Sequence, residues 1–238
     1  MRLQVYLSKA GVSSRRQAAH IIKSGRVRVN GENILEPSFK ISPEKDSIFL
    51  NNKRIFPKEK IYIMLHKPWG VTTTKKDLYA KKTVMDLLPK ELGHLNHVGR
   101  LDKDSTGLIL LTNDGKLINS ITHPKFNVKK IYAVELNRKL LQKDRLCLEK
   151  GINLEGKNTS PCQVMLKNKN NLEITLHEGR NRQIRRMCAK IGHPVMKLKR
   201  VRYGPVPLGN LKPGSYRTLS RQEIAGLYQY CRKADKNP

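Results

Sequence analysis

The stretch GRLDKDSTGLILLTNDG, Gly99 to Gly115, sets two acids, a Ser-Thr pair and a glycine directly before an apolar run. LILLT reads as a buried strand, and the glycine-rich polar segments on either side of it as turns. Acids are scarce elsewhere. Over 238 residues, 48 Lys and Arg face 19 Asp and Glu, a formal charge of +29. Self-repulsion on that scale opposes compaction, and a polyanionic partner is its natural reason.

The length allows one large domain or a large and a small one. Cys147, Cys162, Cys188 and Cys231 are widely spaced, without a C-x-x-C pair, so neither a zinc site nor a disulfide framework is expected. No apolar segment has the length of a signal peptide or a bilayer span. The expectation is a soluble, cytoplasmic protein with reduced thiols, monomeric by default. Neither a Rossmann fingerprint nor a P-loop is present.

Residues 1–58 read as a small module. Leu3, Val5 and Leu7 open a short apolar stretch that Gly11 ends. SSRRQAAHIIKSG then reads as a compact helix, with Ser14 and Gln17 at capping-box spacing and Gly25 at its C-terminal stop. Val27 and Val29 alternate before Asn30-Gly31, a hairpin signal, and SIFLNNKRI repeats the pattern before Asn51-Asn52. Arg15, Arg16, Lys23, Arg26 and Arg28 lie off the apolar stripe and form a candidate phosphate-tracking surface. SRRQAAHIIKSGRVRVNG, residues 14–31, resembles the RNA-binding domain named after ribosomal protein S-four. That resemblance implies binding to structured RNA.

Residues 59–238 form the larger domain. IYIML reads as a buried strand stopped by Lys67-Pro68-Trp69-Gly70, with Trp69 expected to pack at the joint between the domains or to serve as a base platform. HLNHV, LILLT, KKIYAVEL and NLEITL alternate with helical stretches around GKLINSIT, RKLLQKDRLCLEKG and RNRQIRRMCAKIG. KLKRVRYG and SYRTLS read as a second strand pair before a C-terminal helix, RQEIAGLYQY. Hairpin-type spacing of mixed elements predicts an α+β domain, a mostly antiparallel mixed sheet with flanking helices.

Three chemistries compete for the opening stretch. Asp102, Asp104, Thr106 and Gly107 begin like a calcium loop, but the twelfth position is Asn113 where a bidentate Glu belongs. D-x-D-x-T also fits a phosphatase with an aspartyl nucleophile, yet no later acidic pair is present to complete a magnesium site. The third reading uses one carboxylate. GRLDxxSTGL followed by LLTNDG resembles the catalytic motif of pseudouridine synthases of the RsuA and RluB type, which modify bacterial ribosomal RNA. KPWG, KKIYAV, LHEGRNRQIRRM and LKRVRYGPVPLGNLKPGSYRTLS follow the family order over nearly the whole chain. The last of these, with the front module, looks more like the large-subunit (23S) rRNA enzymes than the small-subunit one. A non-catalytic ribosome-assembly factor that keeps this fold is the competing expectation.

The resemblance implies that uridine is isomerised by breaking C1′–N1, turning the base and rejoining it through C5, with no cofactor or metal. The nucleotide must first leave its stack. Asp102 matches the essential acid, either taking a proton from C2′ or attacking covalently. Arg185 matches the arginine that pairs with that acid, with Arg180 as an alternative partner. Tyr132 matches the aromatic that stacks on the flipped uracil, and Leu198 the apolar wall of its pocket. Arg100, Leu101 and Gln183 flank these motifs as substrate-binding candidates, and Arg182 and Arg186 are expected to meet phosphates. Asp104 and Asp114 read as turn or cap residues.

Overall fold

The computed structural model describes residues 1–75, 77 and 79–236, which fall into two compact units, Met1–Ile61 and Tyr62–Pro238. In the first, α1 (Leu3–Lys9) and α2 (Arg15–Lys23) precede β1 (Val27–Val29), β2 (Glu32–Asn33), β3 (Ile48–Leu50) and β4 (Lys53–Arg54). The apolar stretch at Leu3 is helical, because Leu3, Tyr6 and Leu7 share a buried face with Ala18 and Ile22. Ser14 and Gln17 close the capping box at the start of α2. Asn30 (φ 52°) and Gly31 (φ 93°) turn β1 into β2, and Asn51 (φ 47°) and Asn52 (φ 66°) turn β3 into β4, as tight hairpin turns require.

The second unit is built on a mixed sheet. Its strands are β5 (Tyr62–Lys67), β6 (Asn96–Val98), β7 (Thr106–Thr112), β8 (Lys130–Leu136), β11 (Gln163–Leu166), β12 (Asn171–Leu176), β13 (Val195–Tyr203), β14 (Val206–Pro207) and β15 (Tyr216–Thr218), with a separate β9–β10 hairpin (Asn153–Leu154, Lys157–Asn158). The order is β11-β12-β8-β13-β7-β5-β15, with β14 on β13 and β6 on β7. Among these strands every pairing is antiparallel except β13 with β7. KLKRVRYG and SYRTLS therefore do not pair with each other. β13 is folded upon by β14, whereas β15 closes the far edge against β5.

Helices α3 (Gly115–Thr122) and α6 (Arg221–Lys236) bury Leu117, Ile121 and Leu227 with Met64, Leu108 and Leu110. Helices α4 (Gln142–Lys150) and α5 (Gln183–Lys190) bury Leu148, Ile184, Met187 and Cys188 with Val134, Ile174 and Leu198. The parallel contact between β7 and β13 requires Gly107. Its φ is 107°, and an added Cβ would meet the Arg200 carbonyl oxygen at 2.3 Å. Gly107→Ala is expected to cost at least about 2 kcal/mol in urea unfolding, through backbone strain and separation of the strands. A change within error would contradict this contact.

Candidate active site

The turn that carries Asp102 runs from Leu101 to Ser105, between β6 and β7. Very little of it is left to move. The Thr73 hydroxyl donates to the Leu101 carbonyl at 2.8 Å and accepts from the Leu101 N–H at 3.3 Å. Gly70 N–H donates to Lys103 O at 2.9 Å, and Ser105 N–H returns to Asp102 O at 3.0 Å. Lys67, at the end of β5, has no exposed surface. Its ammonium donates to the carbonyls of Ser105 (2.7 Å), Pro68 (3.0 Å) and Lys103 (3.3 Å). Burial pulls its pKa from 10.5 to about 8, against the attraction of Asp104 and Asp102.

Asp104 is more than a turn residue. Arg182 meets it with two parallel bonds, 2.8 and 2.7 Å, and Arg185 Nε lies 3.2 Å from Oδ2 in ion-pair range without hydrogen-bond alignment. Arg182's hydrogen bonds, helped by the charge of Arg185, hold the Asp104 carboxyl below the usual range. Arg185 also donates to Asp104 O (2.7 Å) and Val195 O (2.9 Å). The expected contact of Arg185 with Asp102 is thus replaced by one with Asp104, two residues on. The reason is local. Arg182 takes a left-handed conformation (φ 47°) at the start of α5, and it shares Asp104 with Arg185 one helical turn later.

Asp102, half-buried, makes no side-chain hydrogen bond or ion pair among the described residues, and it lines a cavity of 480 Å³. That volume lies in the range of small-molecule sites. The cavity opens where the two apolar cores meet, and it brings Arg100, Leu101, Asp102, Tyr132, Arg180, Arg182, Gln183 and Leu198 together. Arg185 and Arg186 are not among its lining residues. Arg180 donates to Glu178 (3.2 Å) and to the carbonyls of Lys157 and Asn158, so it is not the partner of Asp102. Gln183 bridges Arg180 N–H (3.0 Å) and Glu178 (2.7 Å), and Arg186 pairs with Glu155 at 2.7 Å. Tyr132 lies opposite Ile174 and Arg200 in the sheet, and Leu198 opposite Val134. Asp114 caps α3 as expected, accepting from Lys116 and Leu117 N–H.

Sequence patterns pointed to none of Lys67, Thr73, Lys130 or Arg200, although Lys130 and Arg200 line the same cavity. Strand parity could have found two of them. Lys130 is two residues before Tyr132 and Arg200 two after Leu198, on the same faces. Trp69 is 73% exposed. In the front unit Arg15, Arg16, Lys23 and Arg26 are exposed. Arg28, half-buried, bonds Asn52, and Gly25, Arg26, Arg28, Gly31, Asn33, Asn51 and Asn52 line a polar hollow. Among the described residues no cluster of His, Cys, Asp and Glu has metal-site geometry, and no helix is long and apolar enough to cross a membrane.

Lys67→Met is expected to lower stability by about 1–3 kcal/mol at neutral pH, since the buried Ser105 carbonyl loses its ammonium donor and those of Pro68 and Lys103 lose one as well. A depressed lysine pKa means that the unfolded chain binds the extra proton between about 8 and 10.5. The wild type should therefore gain on the variant as pH rises across that window. Urea unfolding at several pH values checks this, and a narrowing gap would contradict it.

The family model described as RNA pseudouridylate synthase matches residues 61–190, and the S4 domain model matches residues 1–47. A protein of Bacillus subtilis (strain 168), "Ribosomal large subunit pseudouridine synthase B", is 39% identical over 236 residues, spanning 95% of both chains. An "Uncharacterized RNA pseudouridine synthase" of Aquifex aeolicus (strain VF5) is 38% identical, covering 96% of this chain and 94% of its own. A solved structure, "Crystal structure of pseudouridylate synthase", superposes with a TM-score of 0.71 at 33% identity, over 95% of this chain and 99% of that one. A motif match over more than half the chain and relatives alike from end to end converge with a cleft built around one uncommitted carboxylate: the chain belongs to the RNA pseudouridylate synthase family.

Proposed function

We propose that this protein isomerises one uridine of large-subunit ribosomal RNA to pseudouridine, acting in the cytoplasm as a monomer, with Asp102 as its essential acid. The observation that carries this reading is that Asp102, in a turn braced by Lys67, Thr73 and the Asp104–arginine cluster, keeps its carboxylate without a hydrogen bond or ion pair among the described residues, on the wall of a cleft shared with Tyr132 and Leu198. A binding protein has no use for a free carboxylate facing RNA phosphates, which weighs against an assembly factor without catalysis. The phosphatase reading loses its second acid, because Asp104 is held by Arg182 and Arg185. The printed name of the Bacillus relative supports the large-subunit assignment.

The extruded uridine would place its base between Tyr132 and Leu198 and its sugar toward Asp102. The carboxylate either takes the C2′ proton or adds to C1′, and in both cases the electron pair of the C1′–N1 bond leaves with the base. The ring then turns and C5 bonds to C1′, either displacing the carboxylate from C1′ or with the proton returned to C2′, after which C5 loses its proton and N1 gains one. The Tyr132 ring contributes stacking of about 1–3 kcal/mol.

Asp102→Asn is expected to abolish tritium release from rRNA transcripts labelled at uridine C5, while RNA affinity holds within a few-fold. Residual turnover in that variant would overturn the assignment. Replacing Arg15, Arg16 and Arg26 by Gln should weaken binding and flatten the salt dependence by roughly one unit of slope for each phosphate contact removed. An unchanged slope would remove the front unit from the RNA footprint. Trp69 is the only tryptophan, so its fluorescence reports on any base that stacks there. Quenching on RNA binding supports a base platform, and an unaltered spectrum rules it out.

A further inference from the structure

We infer that Lys130 and Arg200 are catalytic groups acting on the base, their cations holding the negative charge that uracil acquires when C1′–N1 breaks. This rests on the function proposed above.

The sheet sets the arrangement. Arg200 on β13 lies directly opposite Tyr132 on β8, and Lys130 opposite Tyr203. Cross-strand partners and residues two apart share a face, so Lys130, Tyr132, Leu198 and Arg200 project together, and all four line the cavity with Asp102. A register shift between Arg200 and Arg202 brings Tyr203 back to that face. Both cations stand over its ring, Arg200 at 5.1 Å and Lys130 at 5.7 Å.

Neither cation has an acid bonded to it among the described residues. Arg200 is 2% exposed. Its Nε donates to Leu108 O at 2.7 Å and one terminal nitrogen reaches Arg100 O at 3.5 Å, while the other is buried without a partner. Lys130 donates to Val128 O (3.1 Å) and His177 O (3.5 Å). Glu178, the acid that Lys130 feels, is already bonded to Arg180, Gln183 and Ser160 N–H. Burial, then the neighbouring Arg200, pulls the Lys130 pKa down to about 8. An arginine cannot shed its proton, and two adjoining cations withdrawn from water are costly without an anion. Such a pair is retained where charge appears during a reaction, as preorganised stabilisation.

RNA offers two anions, its phosphates and the departing base. The position favours the base. The pair lines the cavity with the ring on which uracil would stack, and Arg200 is almost wholly withdrawn from the outer surface along which backbone phosphates run. The electrons balance without a further reactant. The C1′–N1 pair moves to N1 and spreads over the ring oxygens, Lys130 and Arg200 stay protonated, and the charge is consumed when C5 attacks C1′.

The test is single-turnover kinetics on an rRNA fragment containing the target uridine, with affinity measured in an Asp102→Asn background. Lys130→Gln should slow isomerisation about 100-fold, with unchanged RNA affinity and salt slope, and Lys130→Arg should recover most of the rate. With 5-fluorouridine at the target, whose base departs as a more stable anion, the gap between wild type and Lys130→Gln should narrow. Consumption of that nucleoside is read by mass spectrometry. Weakened binding with a salt slope lower by about one would make the pair a phosphate site and overturn the inference. So would an undiminished rate, or an equal loss on both nucleosides. If the wild type isomerises no rRNA, the proposed function fails instead.

Discussion

A lysine ammonium with no access to water holds this site in shape. Lys67 ends a fully buried strand and points its charge at three carbonyls, two of them in the turn that contains Asp102. Placing a cation there is unfavourable, and its depressed pKa records that cost. The return is rigidity in a turn that would otherwise be a flexible run of polar residues. Thr73 fixes the turn's near end and the Asp104–arginine cluster its far end. The Asp102 carboxylate, which must meet a moving substrate, takes no part in this bracing among the described residues.

The arginines sort by partner in a way that bulk charge conceals. Arg180, Arg182, Arg185 and Arg186 are all bound to protein acids or carbonyls, so most of the basic motif around α5 braces the cleft. Among the described residues Arg200, on the strand that also carries Leu198, is the arginine sealed in without an acid. Gly107 makes this possible by letting the backbones of β7 and β13 touch, which places the guanidinium beside the strand that delivers Asp102. The same strand contact thus serves both the packing and the chemistry.

Local chemistry was legible in the sequence wherever one or two residues decide it. Asn30-Gly31 made its hairpin, Ser14 and Gln17 their capping box, and Asp114 its helix cap. The position of Asp102 beside Tyr132 and Leu198 followed from resemblance, and strand register explains why those two meet across β8 and β13. Choices among like partners were not legible. Spacing cannot say whether Arg185 reaches Asp102 or Asp104, since both acids lie in one turn and the outcome depends on the left-handed Arg182. Nor can it say which strand SYRTLS joins, or that Trp69 stays exposed. Lys67 read as the stop of a strand because a buried lysine looks, in sequence, like any other charge.

The most direct measurement is a structure of the protein with an rRNA hairpin carrying 5-fluorouridine at the modified position. The account predicts the nucleotide extruded, its ring between Tyr132 and Leu198 and its C1′ or C2′ within about 3–3.5 Å of the Asp102 carboxylate. A target base still stacked in its helix, or one in the cleft with its sugar turned away from Asp102, would contradict it.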